Sequence, residues 1–288
     1  MLSYSNSHVG KQPTGPAELI DLDNGARWSG AFNFGLGPNG GTNSTTPTGV
    51  AYSAGPAGLA VKTAGDSSSY LTLHDTRLAV TGPLTLVCTF SIEAIPSNRV
   101  IASCSSDSPD WYDSPFLFGV TSSGKIYLGR AGGIATERAW MESTYSSIQT
   151  KTIYTVVAAS NSFTVSQHAD ASNVAFFVNG IKYSSSVNYA EAGTGAITAT
   201  SAETRIGGSK SNPTAEPSES NVFFLGVISG MVSDNLARRL SRGIGAAYKT
   251  RRVVIPAAAS SLPTLSSATW VPGSLTSSGF RPRVTATY

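Results

Sequence analysis

The sequence predicts an all-β chain: a two-sheet antiparallel sandwich with one short helix near residues 233–245 and extended arms at both termini. Three observations carry this. Short runs that alternate apolar and small polar side chains recur along the chain, the period-two signature of half-buried strands. Turn residues separate these runs, in the rhythm of a sandwich or barrel. Charged residues make only 13% of the 288, against roughly 25% in an ordinary domain, which suits strands and turns better than long helices.

The elements follow in order. Residues 84–92, LTLVCTFSI, place Leu84, Leu86, Cys88, Phe90 and Ile92 on one face. Residues 116–120 and 125–130 flank Ser122-Ser123-Gly124 and read as a hairpin. Residues 152–159 are rich in β-formers. Residues 174–178, VAFFV, meet 181–187 across Asn179-Gly180, the dipeptide that best accepts two positive φ angles. Residues 222–232 form a further apolar strand, with Gly226 and Gly230 at bends or close backbone contacts. Leu86, Phe90, Phe118, Val157, Phe176 and Leu225 are the expected core. Ser233 then reads as a helix N-cap, and Leu236, Leu240 and Ile244 share a face at i, i+4, i+8. Residues 35–58 and 131–150 read as long loops.

Three regions result: an N-terminal arm at 1–16, a sandwich at 17–250 and a C-terminal linker and strand-forming tail at 251–288. The tail keeps Trp270, Phe280 and Tyr288. That apolar content is foreign to a disordered segment, so these three are expected to make assembly contacts. Trp28 reads as a packing anchor.

Several functions are disfavoured. The net charge of +3 is too small for a nucleic-acid footprint, and the basic residues from Arg238 to Arg252 lack interleaved aromatics. No apolar run reaches the length of a membrane span, and the N-terminus lacks a secretory pattern. Cys88 and Cys104 are too few for a disulfide framework; two buried thiols are expected. No E-x-D-x-x-E strand is present, and Glu137 and Glu142 have the wrong spacing for a glycosidase pair; they read as solvated rim residues. No organic cofactor is expected.

The loop SSDSPDWYDSP at 105–115 is the candidate site. Asp107, Asp110 and Asp113 surround Trp111 and Tyr112. Clustered carboxylates suit Ca²⁺, and aromatic rings suit sugar faces. The alternative is a polar loop with Trp111 capping the sandwich edge or meeting another subunit. Trp140, on the second long loop, lines the same rim.

The order of motifs carries a resemblance. Val178-Asn179-Gly180, Arg205-Ile206-Gly207-Gly208, Gly226-Val227-Ile228 and Val232-Ser233-Asp234 follow one another as they do in the concanavalin A-like lectin/glucanase superfamily. More narrowly, the chain resembles laminin-G-like jelly rolls from about residue 55 to 245. Ser229-Gly230 stand where that family carries acidic residues. The exit Arg251–Ala259 and the closing segment resemble versions of the domain in tailed-phage and prophage structural proteins. The resemblance implies a jelly roll that does no catalysis. It implies a structural or adhesion component of a virion, made in the host cytoplasm, partnered by other virion proteins or copies of itself and by a host-surface glycan. The alternative is a bacterial surface or secreted carbohydrate-binding module.

Overall fold

The computed structural model describes residues 28–34, 45–55, 58–106, 113–134, 136–191, 193–199, 202–209 and 217–242, with strands at 268–271, 275–276, 279–280 and 283–286. The first strands are β1 (Trp28–Asn33), β2 (Thr45–Thr48), β3 (Ala51–Gly55), β4 (Gly58–Lys62) and β5 (Tyr70–Leu73). Next come β6 (Leu84–Ile92), β7 (Arg99–Ser105), β8 (Phe116–Val120), β9 (Ile126–Ala131), β10 (Arg138–Ser143) and β11 (Tyr154–Ser160). A short helix, α1 (Val165–His168), leads to β12 (Val174–Val178), β13 (Ile181–Tyr183), β14 (Ser185–Ala190), β15 (Glu203–Ile206), β16 (Ser220–Ser229) and α2 (Asp234–Arg242).

These strands make two antiparallel sheets of eight. The first runs β13-β12-β11-β6-β16-β4-β3, with β1 also on β16; the second runs β14-β10-β9-β8-β7-β15-β5-β2. The all-β sandwich expected from the alternating strands is the observed fold.

The inner faces make one core. Leu84, Leu86, Cys88, Phe90 and Ile92 of β6 point into it together, opposite Phe116, Phe118 and Val120 of β8. Phe90 meets Phe118 edge-on at 6.0 Å between centroids, the geometry the ring quadrupoles favour. All six expected core residues are fully buried. Val157 is buried in a different layer, however. It lies on the outer face of the first sheet with Val87, Phe177, Trp28 and Phe224, beneath Leu236, Ala237 and Leu240 of α2. Burial on both faces explains the apolar runs of β11, β12 and β16, where alternation fades.

Local chemistry sets the turns. Asn179 and Gly180 have φ of 48° and 90°, the two positive angles a tight hairpin requires. A Cβ on Gly180 would also fall 2.5 Å from Cγ of Arg242, which packs across the turn from α2. Ser233 caps α2, its Oγ accepting from the backbone N–H of Leu236 at 3.3 Å. At Gly226 a side chain would collide with the Trp28 ring, 2.6 Å away; Trp28 is the anchor expected of it.

Three expectations need correction. Residues 35–58 are not all loop: β2 and β3 lie there. Thr and Pro disguise β2, which sits at the sheet edge, where Pro47 costs least. Residues 131–150 contain β10, so Trp140 and Glu142 stand on a strand. Glu142 is not solvated, being only 8% exposed.

Cys88 and Cys104 are free buried thiols on different sheets. Burial holds both protonated; the Cys104 pKa is pushed up to about 12. In the tail, β17 (Ala268–Val271) pairs with β20 (Arg283–Ala286), and β18 (Leu275–Thr276) with β19 (Gly279–Phe280). Neither pair joins a sandwich sheet. Trp270 lies on β17 and Phe280 on β19; Tyr288 and the arm 1–16 lie outside the described residues. Among the described residues no helix is long and apolar enough to cross a membrane.

Candidate functional site

The outer face of the first sheet is occupied by α2. Among the described residues no helix covers the outer face of the second. On a strand, alternate residues share a face, so β10 sends Arg138, Trp140 and Glu142 outward and Ala139 and Met141 toward the interior. Register then selects their neighbours. Trp140 stands opposite Gly129 on β9 and Tyr189 on β14. Its ring lies 4.2 Å from that of Tyr127, tilted by 42°. Tyr127 is fully buried and Trp140 half-buried, so one aromatic backs the other and leaves it at the surface. The indole N–H of Trp140 has no acceptor among the described residues.

Polar groups ring this platform. Arg138 holds Glu191 with two bonds, Nε to Oε2 at 2.8 Å and Nη2 to Oε1 at 3.3 Å. It also donates to Tyr189 Oη at 3.1 Å, while Tyr189 donates to Glu191. The Arg138 guanidinium keeps the Glu191 carboxyl below its ordinary pKa, and the Glu191 carboxylate raises the Tyr189 phenol. Glu142 accepts from Lys125 on Oε1 and from Asn188 Nδ2 on Oε2, the latter at 2.8 Å.

Glu137, one residue before β10, lies in a trough of three glycines. A Cβ on Gly195 would stand 1.9 Å from its Oε2; on Gly193, 2.2 Å from its Cγ; on Gly132, 2.7 Å from Oε2. No side chain fits at those three positions while Glu137 is there. Sequence reasoning placed Glu137 at the rim but missed the trough, whose one trace is the run EAGTGA at 191–196.

Across the face, the Arg205 guanidinium stacks on Tyr70 at 4.1 Å and binds Glu203 at 2.7 Å. The Arg205–Tyr70 pair borders a shallow hollow that also includes Asp66, Ser69 and Gly208.

Of the loop singled out in the sequence, Asp107, Asp110, Trp111 and Tyr112 lie outside the described residues. Asp113 is buried, its Oδ1 accepting from Thr198 Oγ1 at 2.6 Å. Its carbonyl accepts from Ser106 N–H at 3.1 Å, closing the base of the loop. That base touches the rim beside β10: Ala131 donates to Ser114 O, and Thr198 donates to Ala131 O. The base of the loop and the start of β10 therefore lie at one end of one sheet. Tyr145 does not; it packs at the other end of β10 against Tyr183 and Tyr154. Among the described residues no cluster of three His, Cys, Asp or Glu side chains is placed to hold a metal.

One buried polar network lies beneath this end. Arg130, wholly buried, donates to four carbonyls: Pro115 at 2.8 Å, Ser162 at 3.0 Å, Val80 at 2.8 Å and Gly82 at 2.9 Å. Burial lowers its pKa to about 9. His168 lies buried nearby, with Nε2 at 3.0 Å from Leu128 O and Nδ1 at 3.0 Å from Ser160 Oγ. A carbonyl can only accept, so Nε2 carries the proton. Burial, and next the Arg130 charge, hold this imidazole down to about 3. The network is closed to solvent and braces the fold.

No protein-family model and no curated protein matches the sequence. Solved structures do match the fold. Domain 4 of AbnA, an extracellular GH43 arabinanase from Geobacillus stearothermophilus solved with arabinotriose, aligns with a TM-score of 0.52 at 16% identity. The alignment covers 75% of this chain and 98% of that domain. The Ruminococcus gnavus IT-sialidase CBM40, solved with α2,3-sialyllactose, aligns with a TM-score of 0.46 at 13% identity, over 69% of this chain and 97% of that one. At such identity the likeness is one of fold, a β-sandwich.

Proposed function

We propose that this chain is a non-catalytic carbohydrate-binding sandwich that takes a glycan on the outer face of its second sheet, against Trp140. The observation that carries this is the placement of Trp140. A partly exposed indole rests on a buried tyrosine, beside Val100 and Leu117, on the sheet left uncovered by α2, with Arg138, Tyr189 and Glu142 at neighbouring outward positions. An aromatic body with polar neighbours is the usual construction of a small-ligand site. A domain of the same fold is found holding arabinotriose, which supports the choice of ligand class. Trp111, Tyr112, Asp107 and Asp110 stay candidates for the same ligand on the sequence alone.

The non-catalytic part rests on the carboxylates. Glu142 is engaged on both oxygens and Glu191 is clamped by Arg138. Neither is poised as a nucleophile or proton donor beside a partner carboxylate. A polysaccharide panel should show no release of reducing ends.

The test is a glycan array followed by calorimetry with the whole chain and its Trp140→Ala variant. Binding should fall at least tenfold, about 1.4 kcal/mol, with the melting temperature little changed. Undiminished binding by the variant refutes the site. The setting in a phage virion, which the terminal motifs suggest, is a separate proposal; mass spectrometry of purified particles tests it.

A further inference from the structure

We propose that this chain carries a second carbohydrate subsite on the same outer face, in the hollow beside Arg205, and so holds repeated or branched glycans at two points. The inference rests on the carbohydrate-binding reading above and adds the number of sites and the form of the ligand.

Register places the two sites in one row. Trp140 stands opposite Gly129, Gly129 opposite Leu117, Leu117 opposite Ser103 and Ser103 opposite Arg205. All five occupy outward positions, because their chain neighbours Met141, Leu128, Phe118, Cys104 and Ile206 belong to the core. Four strand spacings separate Trp140 from Arg205, about 19 Å. A ridge divides them. Ser103 Oγ donates to Gly208 O at 2.9 Å, and Ser105 Oγ lies 3.2 Å from Ser209 Oγ, so residues 208–209 lie over β7. Pro217 bridges Val100 on the same strand. One sugar chain laid flat from Trp140 meets this ridge before it reaches Arg205.

The hollow has the chemistry of a hydroxyl site. Arg205 is fixed in two ways, its plane on Tyr70 at 4.1 Å and its Nε on Glu203 at 2.7 Å. Its Nη1 and Nη2 donate to nothing among the described residues. Asp66 also lines the hollow. Its Oδ1 is fixed by the Ser68 N–H at 2.9 Å and the Ser68 hydroxyl at 2.8 Å, while Oδ2 accepts no hydrogen bond among the described residues. A donor fork and an acceptor that are already ordered lose little freedom on binding. A hydroxyl both donates and accepts, so adjacent hydroxyls on a sugar ring answer both groups. Gly208 leaves the hollow open, since a Cβ there would meet no atom within 4 Å. The space amounts to about 170 Å³, below the roughly 300 Å³ at which pockets begin to enclose a whole small ligand. The hollow therefore takes the edge of one sugar ring, and tight binding needs a second contact elsewhere on the face.

Calorimetry with the intact chain counts the sites, with arabinotriose, xylotriose and maltotriose and the polymers arabinan, xylan and amylose as probes. A trisaccharide that binds should saturate at two molecules per chain. Its polymer should bind at least tenfold more tightly, through the raised local concentration at the second site. Gly208→Leu fills the hollow from a position where Cβ meets no neighbour, and Asp66→Ala removes the acceptor. Each should lower the count to one, leave the Trp140 site in place and erase most of the polymer's advantage. Trp140→Ala should leave only the weaker site at Arg205. A count of one in the unaltered chain, with Gly208→Leu and Asp66→Ala holding the polymer as tightly as it does, overturns the second site and leaves the carbohydrate reading intact. A chain that binds none of the probes overturns both readings together.

Discussion

Replacing Arg130 by methionine tests the account of how the two sheets are held in register at the site end. The guanidinium donates to Val80 and Gly82 in the segment entering β6, to Ser162 beyond β11, and to Pro115 before β8. It hangs from β9 in the second sheet, while β6 and β11 belong to the first. Three of its four bonds therefore cross the sandwich, and the one to Pro115 stays within the second sheet. No carboxylate is among its acceptors. Methionine nearly matches its length but donates nothing, so four carbonyls lose their partner. Each buried acceptor left alone costs about 1–3 kcal/mol. Removing a buried charge returns part of this, because desolvating a guanidinium costs several kcal/mol. The expected net loss is about 3–5 kcal/mol, the range for taking one member from a buried charged network. For a domain of this size that lowers the melting temperature by roughly 6–20 °C. Urea denaturation followed by circular dichroism measures it directly, as a fall in midpoint at constant slope. Arg130→Lys should fall almost as far, since an ammonium cannot reproduce the planar fork. A methionine variant with an unchanged midpoint would show that the four bonds do no more than offset their own desolvation.

Other consequences follow from the same core. The folded state holds His168 down to about 3, against 6.5 for an exposed imidazole, so the unfolded chain binds the extra proton between those values. Stability should be full above about pH 6.5 and decline as pH falls toward 3, by up to about 1.4 kcal/mol per pH unit; His168→Gln should flatten that slope in acid melts, and an unaltered slope would assign the acid response to other groups. Phe118→Ala removes a ring buried against Phe90 and should cost about 3–5 kcal/mol by chemical denaturation; a cost below ~1 kcal/mol would mean the inner faces are not packed as described.

Much of the fold was legible because β-structure writes itself in alternation. The inward set of β6, from Leu84 to Ile92, and the hairpin at Asn179-Gly180 could be read directly. The strands that escaped notice are the ones whose chemistry conceals the pattern. In β2, a threonine-rich edge segment with a proline reads as loop. In β10, the inward positions are small or flexible, Ala139 and Met141, and the outward ones are Arg138, Trp140 and Glu142. A strand whose exposed face is richer than its buried face looks like a loop because its polarity was selected for what lies outside. That inversion is itself a mark of a surface that has work to do.

The site shows where one-dimensional reading stops. Trp140 could be singled out from its residue type and its place near a rim. The ion pairs around it could not, since Arg138 and Glu191 are brought together by the pairing of β10 with β14, and Lys125 and Glu142 by that of β9 with β10. Charge matching is a property of register, and register is fixed by the buried faces. Arg130 is the instructive contrast. In KIYLGR the inward parity runs Ile126, Leu128, Arg130, so the alternation that identified the strand also placed a cation on its core side. A buried arginine is so costly that the natural inference is a strand ending one residue early. The four carbonyls that make the position tolerable come from three distant segments, and only the folded chain assembles them. The same physical rule governs both places. Inside the sandwich, a lone cation is held by neutral acceptors because no anion could be buried beside it without further cost. On the outer face, which water reaches, every cation named is held by an anion.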